Sequence, residues 1–446
     1  MPGIDLKKNI LISASYKVLT MALSFLTGWI STRFLGVELK GQYSYLITIS
    51  SFAWLVLDLG IHKTYPYLIR KEAEQRLQLF TWSLLQFLIE FTLIAAVGLA
   101  FMPFFSQALK FNFTAPIVVL VAGAISLTKL QLHMQMYYLG RDLVKTNSHY
   151  QTLNSFVMLI MVAGGYLAFR NSDRLLYVLI SYNLAMACAV GAYVHSELFS
   201  RFWKGFRPRY ILRAYSMGWR VFLSSLFITL LIRFDVVLIR RFLSFEDLGV
   251  YAVAANIVDM LQMAANLVGS LLLVKMSDIS DDLQRWDLLK KVFLGFFLLL
   301  GAANLGFVIV GKPLLTLMYG RDFTPVYNVY LWLIPASFGL SFGSLFNTYL
   351  WSKGFPLISV VLPLIALLLN IGLNWILIPA MGIKGAALAT SIAYLAWFLA
   401  ILIYEHFHSG KRIIGYLWPR GKDYVELWTV LRKEARKLTG GHAKLG

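Results

Sequence analysis

The sequence predicts an all-α polytopic membrane protein whose twelve transmembrane helices form two parallel-repeat six-helix bundles. The apolar residue types AVILMFWYC make up 59% of the 446 residues, and charged residues make up 14%. Average globular proteins have roughly 45–50% apolar and about 25% charged residues. Uncharged runs of about twenty residues recur along the chain, and one short motif occurs twice. So little polar surface excludes a soluble enzyme, and a single cysteine excludes a disulfide scaffold.

Each predicted span is a run of about twenty mostly apolar residues, the length that an α-helix needs to cross a bilayer. The twelve spans are 9–31, 42–62, 78–102, 114–138, 150–169, 174–199, 215–239, 248–272, 291–310, 327–350, 357–378 and 384–404. The first contains Lys17 and lacks a clear small-residue cleavage site, so we expect a retained anchor and not a signal peptide.

The distribution of Lys and Arg between successive loops predicts the orientation. With the N terminus inside, the cytoplasmic segments carry 27 of the 41 Lys and Arg, and the external loops carry 10. Both termini are therefore expected in the cytoplasm. Topology and attraction to anionic membrane lipids then account for most of the net charge of +19, and no nucleic-acid partner is expected.

The spans divide the chain into three predicted regions. Residues 1–214 form an N-terminal six-helix lobe that ends in a basic cytoplasmic linker, and residues 215–404 form a C-terminal six-helix lobe. Residues 405–446 form a basic cytoplasmic tail. Apolar residues from Tyr424 to Leu438 recur at helical spacing in this tail, which predicts an amphipathic helix at the membrane interface.

An internal repeat links the two predicted lobes. Residues 33–44 (RFLGVELKGQYS) and 241–252 (RFLSFEDLGVYA) agree at six of twelve positions, with an offset of 208. Because each copy ends one span and begins the next, and six spans is an even number, the repeat is parallel. Parallel lobes favour a transporter with its substrate path between them. A duplicated fold kept only for packing is the alternative.

Polar residues form a continuous stripe along one face of the first span. A lysine inside this stripe favours the lining of a water-filled cavity, whereas small hydroxyl residues alone would suit close helix packing. The stripe consists of Ser13, Lys17, Thr20, Ser24, Thr27 and Ser31.

Further charged residues lie inside the spans or at their ends, where an unpaired charge is costly. The candidate substrate-binding cations are Lys17, Arg33, Lys129, Arg220, Arg233 and Arg240. The candidate ion-coupling carboxylates are Asp58, Glu90, Asp235 and Asp259. Two interpretations stay open: the charges pair with each other, for example Glu90 with Lys129, or the cations contact an anionic substrate while carboxylates carry H⁺ or Na⁺.

Catalytic chemistry is not expected. The seven His and the single Cys provide no spaced set of metal ligands. The longest predicted external loop, residues 311–326, is too short to hold a catalytic site. We therefore predict that the protein is not an enzyme, binds no metal and needs no cofactor other than a coupling ion.

Several motifs resemble Wzx-type polysaccharide flippases of the multidrug/oligosaccharidyl-lipid/polysaccharide exporter superfamily. They are Arg33-Phe-Leu-Gly36 with Gly41 and Tyr43, Asp58-Leu-Gly60, Tyr319-Gly-Arg-Asp-Phe323, and the segment from Asn374 through Ile378-Pro379 and Gly382 to Thr390. The resemblance covers about residues 1–404. It implies two bundles around a V-shaped central cavity, as in MATE transporters, with Lys17, Asp58 and Arg233 facing that cavity.

The resemblance also implies a function. A protein of this kind moves a polyprenyl-diphosphate-linked oligosaccharide, such as an O-antigen unit, to the outer leaflet of a bacterial inner membrane by ion-coupled alternating access. Other polysaccharide assembly proteins are then possible partners. Two alternatives stay open. One is a drug/cation antiporter of the same fold, and the other is a non-transporting scaffold of a polysaccharide synthesis complex.

Overall fold

The computed structural model describes residues 6–168, 173–197, 207–277, 279, 281–354 and 356–408. Thirteen α-helices, three short 3₁₀ turns and no strand occur in this part of the chain. The helices are α1 (Leu6–Asp58), α2 (Tyr65–Lys71), α3 (Arg76–Ala100), α4 (Met102–Leu109), α5 (Ala115–Gly140), α6 (Val144–Ala168), α7 (Arg174–His195), α8 (Pro208–Phe242), α9 (Phe245–Ser277), α10 (Asp282–Tyr319), α11 (Pro325–Ser352), α12 (Ile358–Met381) and α13 (Ile383–His408).

Eleven of these helices are long and apolar enough to cross a membrane. The first, counted over Ser15–Asp58, has 44 residues and is interrupted at Gly36, whose φ of 75° and ψ of −179° are not helical. This interruption divides α1 into two segments that correspond to the first two predicted spans. The structure therefore confirms an all-helical polytopic membrane protein and agrees with twelve spans.

The chain divides into two compact units. The first contains Met1–Ala252 and Thr316–Phe323, and the second contains Val253–Leu315 and Thr324–Gly446. Both units are built from apolar helices whose backbone hydrogen bonds are satisfied within each helix, as a lipid environment requires. The predicted lobe boundary near residue 214 stays a prediction. Residues 409–446 of the basic tail and residues 200–206 of the linker lie outside the described residues.

The two copies of the sequence repeat contact each other within the first unit. A Cβ on Gly41 would lie 1.9 Å from the carbonyl oxygen of Phe245, and a Cβ on Gly249 would lie 1.9 Å from that of Val37. At the repeat offset of 208, Gly41 corresponds to Gly249 and Val37 to Phe245. The contact is therefore pseudo-symmetric, and only glycine allows the backbones of α1 and α9 to approach so closely.

The interior of the first unit brings together the chain segments that form the candidate site. Tyr65, Phe80, Tyr137 and Tyr193 are buried in one apolar cluster formed by α2, α3, α5 and α7, and they are at most 1% exposed. This packing fixes α2, the short helix that follows the end of α1, against the long helix α5.

Candidate functional site

A buried carboxylate flanked by two imidazoles lies at the end of α1. Asp58 is the last residue of the helix and is 0% exposed. Its Oδ2 lies 2.5 Å from Nδ1 of His62, and its Oδ1 lies 2.7 Å from Nε2 of His133. Both carboxylate oxygens are thus occupied by imidazole nitrogens. The cluster Asp58–His62–His133, called here the carboxylate–imidazole cluster, is enclosed by the protein.

A left-handed turn brings His62 back onto Asp58. Leu59 and Gly60 have φ values of 49° and 76°, a conformation that glycine adopts without steric cost. A Cβ on Gly60 would also lie 2.7 Å from the carbonyl oxygen of Gly218 in α8. The turn therefore depends on glycine both for its backbone conformation and for its contact with α8.

The second imidazole is connected to two hydroxyl groups. Nδ1 of His133 lies 3.1 Å from the Tyr65 hydroxyl and 3.0 Å from Oγ of Ser83, which donates to the Leu79 carbonyl at 2.8 Å. Burial raises the pKa of the Tyr65 phenol well above its usual range, so this group remains a donor. Nδ1 can accept from Tyr65 when His133 is neutral and can donate to Ser83 when it is charged. The surroundings therefore suit both protonation states of His133.

A buried ion pair lies beside this cluster. Nζ of Lys129 is 2.5 Å from Oε1 of Glu90 and donates to the Leu57 carbonyl at 3.1 Å. Gln86 donates to the same Glu90 oxygen at 2.9 Å. Of the two interpretations of the in-span charges, pairing is the one that the structure shows for Glu90 and Lys129.

The polar stripe of the first span packs partly against α6. The Thr20 hydroxyl lies 2.9 Å from that of Thr152, and the Ser24 hydroxyl lies 3.4 Å from that of Ser155. Lys17, on the same stripe, is exposed. Thr20 and Ser24 thus serve helix packing, while the role of Lys17 in binding a substrate stays a prediction.

The candidate residues of α8 occupy different surroundings. Arg233 is half-buried, and Asp235 is buried and accepts a hydrogen bond from the Tyr251 hydroxyl. Arg240 donates to the Lys110 carbonyl at 2.6 Å and lies 3.9 Å above the Phe245 ring. Arg240 therefore connects the end of α8 to the turn between α4 and α5.

The remaining candidates lie apart from the carboxylate–imidazole cluster. Arg33 is exposed at the end of the first half of α1. Asp259 is half-buried in α9, within the second unit. The side chain of Arg220 lies outside the described part of the structure.

The second unit contains a polar cluster that the sequence did not predict. Lys353 is 3.0 Å from Glu405 and 3.5 Å from Asp282, and the Tyr349 hydroxyl donates to Asp282 at 3.1 Å. Glu405 is 1% exposed. These residues come from the ends of α10, α11 and α13, which are far apart in sequence. His62 was also missed, because it follows the glycine turn after α1, where helical spacing gives no signal.

No group of three or more His, Cys, Asp or Glu within the described ranges has the geometry of a metal site. In the carboxylate–imidazole cluster the nitrogens point at the carboxylate oxygens and not at a shared centre. This arrangement is suited to holding protons, since each imidazole nitrogen that faces the carboxylate can carry one.

The eleven long apolar helices are those of a multi-pass membrane protein. The sequence profile of the family described as "Polysaccharide biosynthesis protein" matches residues 6–274. The chain belongs to this family. No curated protein matches the sequence.

Solved structures of the same fold cover nearly the whole chain. The lipid II flippase MurJ in an inward closed conformation is 11% identical, covers 95% of this chain and 93% of its own, and has a TM-score of 0.70. An inward-facing multidrug resistance MATE family transporter of the MOP superfamily is 14% identical over 91% and 98% of the two chains, with a TM-score of 0.68. The Vibrio cholerae MATE transporter VcmN in its bent form is 16% identical over 89% and 96%, with a TM-score of 0.61. The resemblance found in the motifs is thereby confirmed for the family and for the fold of the superfamily.

Proposed function

We propose that the protein is a flippase that moves a polyprenyl-diphosphate-linked oligosaccharide from the cytoplasmic to the outer leaflet of a bacterial inner membrane, with both chain termini in the cytoplasm. Membership of a polysaccharide biosynthesis family supports a glycan substrate. The likeness to a lipid II flippase and to MATE transporters supports alternating access. The exposed cations Lys17 and Arg33 and the half-buried Arg233 are the groups proposed to meet the diphosphate.

The observation that carries the mechanism is the carboxylate–imidazole cluster. With both imidazoles neutral, each donates one N–H to Asp58 and the cluster carries one negative charge. One further proton makes an imidazolium and brings the net charge of the buried cluster to zero. A change of one charge inside a low-dielectric interior is large enough to favour one conformation over another.

The donor set favours H⁺ over Na⁺ as the coupling ion. Hard cations are held by several oxygen ligands, whereas both oxygens of Asp58 already face nitrogen atoms. Imidazole changes its charge near neutral pH. We therefore propose that the cluster takes up one proton on one side of the membrane and releases it on the other during each transport cycle.

The test uses the full chain in proteoliposomes with a fluorescent polyprenyl-diphosphate-linked sugar and an impermeant quencher that reports the exposed leaflet. Wild type is expected to flip the lipid faster when a pH gradient is applied. The Asp58→Asn variant should lose the response to the pH gradient, because a neutral amide cannot retain the charge of the cluster. Asp287→Asn is the matched control, since Asp287 is exposed.

Three outcomes would contradict parts of the proposal. An unchanged response of Asp58→Asn to the pH gradient would remove the cluster from coupling. Flipping that is accelerated by a Na⁺ gradient and not by a pH gradient would identify Na⁺ as the coupling ion. Failure to flip the lipid, together with transport of an organic cation by the same liposomes, would favour the drug/cation antiporter.

A further inference from the structure

An apolar cavity of about 300 Å³ lies in the wall of the first unit, between the second half of α1 and the helices α3, α4 and α5. All twelve lining residues are apolar, among them Ala53, Val97, Leu109 and Ile125. An apolar space without polar partners does not hold ordered water. A hydrocarbon chain is the ligand whose chemistry matches this lining.

The cavity lies within the depth of one leaflet. It extends along α5 from near the first turn, where Val118 lines it, down to Ile125. This distance of seven residues is about 10 Å at 1.5 Å per residue, which is less than half of a hydrocarbon core of about 30 Å. Part of one acyl chain fits this length, whereas a polyprenyl chain is much longer than one leaflet.

Cations border one end of the cavity. Leu109 lines it, and Lys110 follows directly in the turn after α4. Nζ of Lys110 donates to the Arg241 carbonyl at 3.4 Å, so the two residues are neighbours, and both side chains are exposed. Neither is paired with a carboxylate within the described ranges of the chain. A phosphate group is the natural partner of such a pair of cations.

The short helix α4 covers the same end of the cavity and presents aromatic rings outward. Phe101 and Phe104 are 57% and 64% exposed, while Phe105, on the other side of the helix, lines the cavity. A short helix that presents aromatic rings on both its outer face and its cavity face is suited to the boundary between lipid headgroups and hydrocarbon. The charge distribution predicts that this end of the bundle is external.

We infer that this cavity is a binding site for an anionic phospholipid of the outer leaflet. One acyl chain would fill the space lined by Ala53, Val97 and Ile125, and the phosphate would contact Lys110 and Arg241. The site is distinct from the groups proposed to act in transport, because its residues include neither the carboxylate–imidazole cluster nor Lys17, Arg33 and Arg233, the cations proposed to meet the diphosphate.

Native mass spectrometry of the purified full-length protein tests the inference, with phosphatidylglycerol, phosphatidylcholine and a polyprenyl phosphate as probes. Wild type should retain phosphatidylglycerol in preference to phosphatidylcholine. Ala53→Phe, which fills the cavity, should abolish this preference, whereas Ala96→Phe on the exposed face of α3 should not. The double variant Lys110→Gln/Arg241→Gln should retain phosphatidylglycerol roughly thirtyfold more weakly, since each basic residue near a bilayer contributes about a fivefold factor.

Lys384→Gln provides the control for charge, because Lys384 is also exposed and begins the last predicted span, next to another predicted external loop. Lys384→Gln should leave the preference for phosphatidylglycerol unchanged, whereas Lys110→Gln alone should weaken that preference. Equal retention of the two phospholipids by wild type would overturn the inference, as would retention that Ala53→Phe does not alter. A third contrary result is that the polyprenyl phosphate displaces phosphatidylglycerol from wild type but fails to bind Ala53→Phe. That result would overturn the inference and identify the cavity as a site for the tail of the transported lipid.

Discussion

The close contact between the two copies of the sequence repeat can be tested by adding one methyl group at a time. Gly41 and Gly249 each face the carbonyl oxygen of a repeat-equivalent residue, at 1.9 Å from the position of a Cβ. Real Cβ atoms essentially never come within 3.0 Å of such an atom, so Gly41→Ala must separate α1 from α9 by about 1.1 Å. The obstacle is a backbone oxygen, which cannot rotate away as a side chain can.

The expected cost follows from this displacement. A gap of 0.5–1 Å forfeits about a quarter to a half of the van der Waals attraction between packed atoms, and overpacking of a tight contact typically costs about 1–3 kcal/mol. Each single alanine variant should therefore lose about 2–3 kcal/mol of stability. Because the same separation relieves both contacts, the double variant Gly41→Ala/Gly249→Ala should lose about 1–2 kcal/mol less than the sum.

Thermal unfolding of the purified protein, followed by size-exclusion chromatography after heating, measures these differences. Gly28→Ala and Gly295→Ala are matched controls, because a Cβ at either position meets no atom within 4 Å. Alanine has a helix propensity about 1 kcal/mol more favourable than glycine, so the controls should be as stable as wild type or more stable. If Gly41→Ala and Gly249→Ala behave like the controls, the backbones do not approach as described. If their effects are additive, the two glycines do not share one contact.

Two further predictions concern buried polar groups of the first unit. Glu90→Gln leaves Lys129 buried without its counter-charge and should destabilise the protein by about 3–5 kcal/mol, whereas Glu90→Met/Lys129→Met should recover most of that loss. Urea unfolding compares the stabilities of the two variants, and equal stability would refute the ion pair. Burial raises the pKa of the Tyr210 phenol from 10.0 to about 12, so the protonated phenol stabilises the folded state fully below pH 10 and this contribution is lost as pH rises to about 12. Tyr210→Phe should show a smaller loss of stability between pH 10 and 12 than wild type, and an unchanged loss would refute the assignment.

The spans were predictable because lipid imposes a strict rule on the backbone. Only a helix of about twenty apolar residues satisfies its own hydrogen bonds across the bilayer, so hydropathy alone places most helix cores. The division of α1 at Gly36 was anticipated by the boundary between the first two predicted spans. The continuation of α10 through Pro313 to Tyr319 was not, because a proline at a span end is compatible with either a kink or a stop.

The candidate site was only partly predictable, since a sequence identifies costly groups but not their neighbours. Asp58 and Lys129 were identified from the sequence because a charged residue in an apolar span is energetically costly and is therefore usually paired or functional. His62 did not, because it lies beyond a glycine turn and helical spacing does not apply there. The cluster around Glu405 also escaped prediction: charges at the ends of spans are usually hydrated, and nothing local indicates that three distant helix ends meet.

The structure separates two kinds of paired carboxylate. Glu90 and Glu405 are each paired with a lysine, whose ammonium charge offsets that of the carboxylate. Asp58 faces two imidazoles instead, each of which can be neutral or singly charged. At the repeat offset of 208, Asp58 and His62 correspond to Asn266 and Ser270, neither of which is ionisable. Under the proposed coupling, a proton would therefore act on the first repeat, because the equivalent positions of the second repeat hold no ionisable group.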